Sequence, residues 1–263
     1  MKFTQISLAL ALVALCLIGC TKETITGTSS TFLTVDEKNE VLYFHYSHVD
    51  SINSGDAGYT AYSAQLEAYD SLHVLATITG GVLDGSNNDT IYTSHMAQYG
   101  ILNIPFYQSN LGAAPFQQAI INHTLSSNVV ANAACELDFD DPSKIIINTT
   151  TEFFTDLQDS VFLSVYIIVD SIVSNQAGHP DGAATNHRKV VADIGRLNGF
   201  NTPKYHGYKV ASGVIEKGYK FNLTFEADRL PTWADTSLIS VGLVITTRDA
   251  TGKPIFVNAH TQH

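Results

Sequence analysis

The chain has 263 residues, 44% of them hydrophobic and 15% charged, which suits one large or two ordinary globular domains and excludes a disordered chain. Its 14 basic residues face 25 acidic ones, for a net charge of −11. No basic run or stripe interrupts that acidity, so nucleic acid and anionic membrane surfaces are poor partners.

The N-terminus is the most specific signal. "MKFTQISLALALVALCLIGC" opens with a basic residue, Lys2, and continues as an apolar stretch too short for a comfortable bilayer span. It closes on "LIGC", where Leu17, Ile18 and Gly19 precede Cys20. This ending resembles a bacterial lipoprotein box, in which Cys20 is lipidated and becomes the first mature residue. The alternative is a cleaved secretory signal with an incidental cysteine. Removing residues 1–19 deletes Lys2 and no acid, which takes the 14 basic residues to 13 against 25 acidic and the net charge from −11 to −12. Several acyl chains on Cys20 would anchor stably where a single chain is marginal. Thr21, and not the Asp that resembles an inner-membrane retention signal, follows the cysteine, which favours the outer membrane.

Beyond Cys20, "TKETITGTSSTF" (21–32) has the Thr/Ser/Gly composition of a flexible tether, expected over 20–39. The pattern then reads strand 41–46, helix 59–69 and strand 72–79. A polar loop, "GGVLDGSNNDT", leads to a short helical piece around "YTSHMAQYG". "ILNIPFYQSN" (101–110) is extended after Pro105, and "APFQQAIINHTLSS" (114–127) reads as a further helix with Pro115 near its first turn. From about residue 129 the texture becomes short strands with turn punctuation. Lys220, Asn222 and Thr224 alternate there with Phe221, Leu223 and Phe225, the mark of half-buried antiparallel strands in a sandwich.

Three segments carry a family resemblance: "VFLSVYIIVDSIVSNQAG" (161–178), "NHRKVVADI" (186–194) and "FVNAH" (256–260). With "NIPFYQSN" in the first half, the chain resembles an outer-membrane lipoprotein family of Bacteroidota of similar size. The resemblance implies an α+β, two-domain fold: a thioredoxin-like α/β domain over 40–128 and an antiparallel β-sandwich over 129–263. It also implies a cis bond at Pro105. Where the family often carries Cys-x-x-Cys after the first strand, this chain reads "HVDSINSGDAG", so the resemblance carries over no catalytic residue.

Thiol exchange needs a thiolate and normally a resolving cysteine. With Cys20 committed to lipid, only Cys135 is left in the mature chain, in the strand-like "NAACELDF", where it reads as a buried small hydrophobe. The loop after the first strand offers His48, Asp50, Ser51, Ser54 and Asp56; it has the position of an active site without its chemistry. His45 with His48, and His179 with His187, lie close in sequence but lack metal-site spacing, so no metal is expected. "DGSNND" (84–89) lacks the closing Glu of a calcium loop and reads as a turn. No Gly-x-Ser-x-Gly elbow supports a hydrolase. "TPKYHGYK" (202–209) reads as a strand with its loop, or as an aromatic binding edge. Ser51, Ser71, Thr90, Ser160 and Ser171 each follow an Asp and precede an apolar residue, a pattern that resembles the acceptor of Bacteroidota O-glycosylation.

The sequence therefore reads as a lipid-anchored, non-enzymatic component of an outer-membrane complex. It would need no cofactor and would have an outer-membrane protein partner such as a TonB-dependent transporter. Two other classes stay open: an envelope enzyme, such as a thiol oxidoreductase using a partner's cysteine, and a surface adhesin or glycan binder.

Overall fold

The computed structural model describes residues 31–50, 74–81, 83, 85–99, 106–108, 126–200 and 204–263. In chain order its elements are β1 (Leu42–His48), β2 (Val74–Gly80), helix α1 (Asn88–Tyr99), β3 (Phe106–Gln108), β4 (Ala131–Asp138), β5 (Lys144–Phe153), β6 (Leu157–Val169) and β7 (Ile172–Ser174). There follow β8 (Thr185–His187), β9 (Val190–Ile194), β10 (Arg196–Leu197), β11 (Tyr208–Ile215), β12 (Lys220–Asp228), β13 (Ile239–Arg248) and β14 (Pro254–Gln262).

The strand β6 organises the rest. Its sequence is apolar at nearly every position from Val161 to Val169, and the strand is buried on both faces over Val165–Val169. One face places Val161, Leu163, Val165, Ile167 and Val169 in a first core, against β4, β5 and β12. The other places Tyr166 and Ile168 in a second core, with Phe44 and Tyr46 of β1, Ile78 of β2 and Ile91 of α1. Each of these fully buried aliphatic side chains contributes about 1.5–3 kcal/mol.

Hydrogen bonding follows the same plan. The large sheet runs β14-β13-β6-β9-β2-β1-β3, with β11 also paired to β6; the smaller one runs β10-β12-β5-β4. β13 pairs with β6 over residues 162–169 and β11 over 157–163, so β11 must lie on the edge opposite β13, which it shares with β9. β1 and β2 are parallel, β3 is antiparallel to β1, and β2 meets β9 through the single pair Thr77–Val190.

This arrangement corrects the expected fold class. A thioredoxin-like α/β domain followed by a separate β-sandwich is not what forms. Among the described residues there is one α-helix, and β1 and β2 extend the same mixed, curled sheet that holds β6, β9 and β13. The physical reason lies in β6, whose second apolar face would stay exposed in a two-sheet sandwich and is instead covered by β1, β2 and α1. The helices expected over 59–69 and 114–127 lie outside the described residues.

The small sheet shows why alternation misleads. Leu223 and Phe225 enter the core as expected, but Asn222 and Thr224 are buried too. They bond across the strand pair, Asn222 Oδ1 accepting from Thr150 Oγ1 at 2.7 Å and Thr224 Oγ1 donating to Asn148 Oδ1 at 2.9 Å. Over them runs a strap, residues 31–40. Asn222 Nδ2 donates to Thr31 O, Leu33 N donates to Thr150 Oγ1, and Asn132 Nδ2 donates to Asp36 O. Val35 packs with Val129 and Phe154. From Thr31 onward, the stretch that composition marks as tether lies against the folded body.

Gly195 is where the chain changes sheets, from β9 to β10. Its N–H donates to Val165 O, and a Cβ there would stand 2.9 Å from the Val165 side chain and 3.3 Å from Phe225 Cβ. Gly195→Ala should therefore force the two sheets apart and cost about 1–3 kcal/mol, read as a lower urea midpoint with an unchanged m-value.

Candidate functional site

The carboxyl ends of parallel strands are a common place for ligands, and here β1 and β2 end side by side. Val49 N donates to Gly80 O at 3.0 Å. Gly80 is needed at this point, because a Cβ would lie 2.5 Å from the His48 ring and 2.8 Å from the Tyr92 ring. His48 and Tyr92 meet edge to face across it, with centroids 5.8 Å apart.

Two amide side chains close the crevice. Asn88, fully buried at the start of α1, donates to Thr79 O and Gly81 O and accepts from Leu83 N and Ser86 Oγ. Asp89 accepts from Gly81 N at 2.8 Å, which also puts a carboxylate where the helix dipole favours one. From the opposite side Gln176, 3% exposed, donates through Nε2 to Val49 O at 3.0 Å and His48 O at 3.3 Å, while Ala177 N donates to Val49 O at 2.7 Å. Behind it His187 is buried, with no partner for Nε2 among the described residues. Burial pushes its pKa down, against hydrogen bonds that the ring makes to the backbone of Ser174 and Asn175, and nearby His179 lowers it further. Burial, with the Asp89 charge, raises the Tyr92 phenol, so it stays a hydrogen-bond donor. The polar side chains at these strand ends are spent on backbone groups, and the nearest hydroxyl–imidazole pair is Thr185 Oγ1 at 3.2 Å from His179 Nδ1.

A buried polar chain supports its floor. His95, fully buried on α1, faces Tyr46 OH with Nδ1 at 3.0 Å and Tyr166 OH with Nε2 at 3.3 Å, so one ring links α1, β1 and β6. A neutral imidazole has one donor and one acceptor, which two hydroxyls satisfy in either tautomer. Burial, and then the proximity of His206, pushes His95 down to about 3. Burial alone does the same to His45, on the other face of β1. Sequence reading missed His95 because two of the three buried positions on α1, Asn88, Ile91 and His95, are polar. Their helical spacing of three and four was the available signal.

The expected site residues are scattered. Cys20, Ser51, Ser71 and Pro105 lie outside the described residues, although β3 does begin immediately after Pro105. Thr90 is exposed on the first turn of α1, Ser160 is half-buried within β6, and Ser171 is exposed at the turn after β6 with φ 74°. Cys135 is buried in β4, where burial pushes its thiol up to about 12. Asn88 and Asp89 of "DGSNND" spend their side chains on backbone groups, and no group of three or more potential metal ligands gathers among the described residues.

The three segments that carry the family resemblance have structural work. Asp170, in the first, pairs with Arg188 (3.3 and 3.4 Å) and Lys189 (3.6 Å) of the second, and Thr77 N donates to Lys189 O at 2.7 Å. Asn258, in the third, accepts from Glu40 N and donates to Lys38 O and Ala131 O, each at 2.8 Å.

No protein-family profile and no curated protein matches the chain. Among solved structures, HBP35 of Porphyromonas gingivalis is similar at 11% identity and a TM-score of 0.62, over 87% of this chain and 76% of that one. A domain of the outer-membrane lipoprotein Omp28 from the same organism gives 12% identity and a TM-score of 0.27 over 51% of this chain and 86% of that one. A β-glucosidase from Kluyveromyces marxianus gives 11% and 0.24 over 51% of this chain and 14% of that one. The first comparison shows a shared fold; the other two overlap too weakly to bear on it.

The two buried rings have a consequence for acid stability. Both bind a proton readily only when unfolded, so between about pH 6.5 and 3 the unfolded chain holds more protons and stability falls as pH falls. The expected loss is on the order of 1 kcal/mol per pH unit for each ring. Urea midpoints at pH 7, 5.5 and 4.5 check it: His95→Phe should be less stable at neutral pH, for want of partners for Tyr46 and Tyr166, but should show a shallower pH slope.

Proposed function

We propose that the chain is a lipid-anchored component of the bacterial envelope that binds or assembles with other molecules and transforms none. The observation that carries this is the "LIGC" box at Cys20, only a short stretch ahead of a strap that is hydrogen-bonded to the body from Thr31 onward. Ten residues lie between the two positions, and the eleven steps can span at most about 40 Å, so the body would stay close to the bilayer. The fold likeness to HBP35, a Porphyromonas gingivalis protein, supports an origin among Bacteroidota. The polar groups around the crevice support a non-enzymatic role, because Asn88, Asp89 and Gln176 are occupied with backbone atoms.

Within that reading the protein serves an outer-membrane complex, for instance beside a TonB-dependent transporter, with the outer membrane reached through Cys20. An oxidoreductase role is disfavoured by Cys135, whose buried thiol near 12 is neither a thiolate at neutral pH nor accessible to a partner. Cys20→Ser should leave the protein uncleaved or in the soluble fraction. Processed mutant that stays in the outer-membrane fraction after a salt wash would sink the anchor. Affinity purification from solubilised membranes should recover a stoichiometric outer-membrane protein; recovery of the chain alone would argue against an assembly role.

A further inference from the structure

Beyond Gly195 the chain forms the two residues of β10 and then turns back. Phe200 N donates to Leu197 O at 2.9 Å, which closes a four-residue turn with Asn198 and Gly199 at its centre. Gly199 has φ 85°, the value that the third residue of a type II turn requires and that glycine adopts without strain. Asn198, Gly199 and Phe200 are exposed, and a Cβ built on Gly199 would meet nothing within 4 Å. Among the described residues, no packing restrains the tip of this turn.

Asn198–Gly199 is the only Asn-Gly pair in the sequence. Such a pair is chemically labile, because the glycine nitrogen can reach the side-chain amide carbon and no Cβ obstructs it. In a folded chain, bonding is what protects an asparagine. Asn88, Asn132, Asn222 and Asn258 are buried, and each donates through its side chain to a backbone carbonyl. Asn198 differs. Among the described residues, its side-chain amide, its carbonyl oxygen and the Gly199 N–H have no hydrogen-bond partner. The main chain is held only on either side, by Asn198 N donating to Thr224 O at 2.9 Å and by the bond from Phe200. The peptide unit between the two central residues can therefore rotate, as it does when type I and type II turns interchange, without losing a hydrogen bond.

We propose that Asn198 is a site of spontaneous covalent modification, converted through a cyclic imide to aspartate and isoaspartate. Gly199 N loses its proton to solvent base and attacks Asn198 Cγ. The Cγ–N bond forms, the Cγ–Nδ2 bond breaks, and Nδ2 takes a proton from solvent and leaves as ammonia. Nothing is oxidised or reduced. Water then opens the five-membered ring. Attack at Cγ gives aspartate at position 198, whereas attack at the main-chain carbonyl leaves the chain running through the side chain, one methylene longer. Either product takes the net charge from −11 to −12. The isoaspartyl form also lengthens the turn that follows β10, whose rungs to β12 are Arg196–Glu226 and Leu197–Phe225. Leu197 packs in the first core, so the change loosens an edge of that core. The proposal rests on the turn alone and is independent of the anchor and of the binding role.

The test is prolonged incubation of the purified, folded full chain at neutral and at mildly alkaline pH, followed by peptide mapping with mass spectrometry. Asn128, exposed but followed by the β-branched Val129, is the internal comparison. Asn198 should convert to both products while Asn128 stays intact, and faster at the alkaline pH because the attacking nitrogen must lose its proton. Gly199→Ala should slow the conversion about tenfold or more, since its Cβ crowds the attacking nitrogen and restricts the backbone. Asn198→Gln, which keeps the glycine turn but must close a larger ring, should slow it likewise. An intact Asn198 in the folded chain under conditions that convert the free peptide Leu-Asn-Gly-Phe would overturn the proposal. So would equal conversion at Asn128, or an unchanged rate in both variants.

Discussion

The fold depends on buried amide side chains that hold irregular backbone. A strap and two strand ends carry N–H and C=O groups that no ladder satisfies, and leaving one of them unpaired in the interior costs about 1–3 kcal/mol. Asn258 satisfies Lys38, Glu40 and Ala131 at once. Asn39 donates to Ser126 O and Asn128 O, Asn88 closes the turn after β2, and Gln176 closes the end of β1. An amide can do this because it both donates and accepts, and it carries no charge to desolvate. Without these contacts β1, β2 and α1 would be placed on β6 by apolar packing, the His95 bridge to Tyr166, the Thr77–Val190 rung and a few bonds to β9 and the residue before it.

Those residues also explain what could be read from the sequence. The long strands expected in 129–263, the strands at 41–46 and 72–79, and the short helix near 92–100 correspond to β4–β7 with β11–β14, β1–β2 and α1, because their periodicity or turn punctuation is local, whereas β8, β9 and β10 were not read. The third layer was not legible. Nothing in "VFLSVYIIV" distinguishes a strand that is half-buried and very apolar from one covered on both faces, and the choice depends on which distant segment covers Tyr166 and Ile168. The alternation at 220–225 hid a similar ambiguity, since Asn222 and Thr224 look solvated in sequence and are in fact bonded to Thr150 and Asn148.

The candidate site was legible only in position. The crevice does lie after the first strand, but the groups that shape it come from Asn88, Tyr92 and Gln176, far from that loop in sequence. Chemically, a structural amide and a ligand-binding amide are the same residue. The family-like segments show this most clearly: Asp170, Gln176, Arg188 and Asn258 look like functional polar residues, and each bonds backbone or an opposite charge within the protein.

The strap also sets how the molecule answers a mechanical pull. Tension applied through the N-terminal end reaches Thr31 first, at its bond with Asn222, then Leu33 at Thr150, Asp36 at Asn132, and Glu40 at Asn258 and His260. These contacts are loaded one after another, not side by side, so each opens at modest force and lengthens the chain before the next is strained. Both cores lie behind the last of them. The strap therefore acts as an extensible fuse, yielding in steps while the sheets behind it keep their shape.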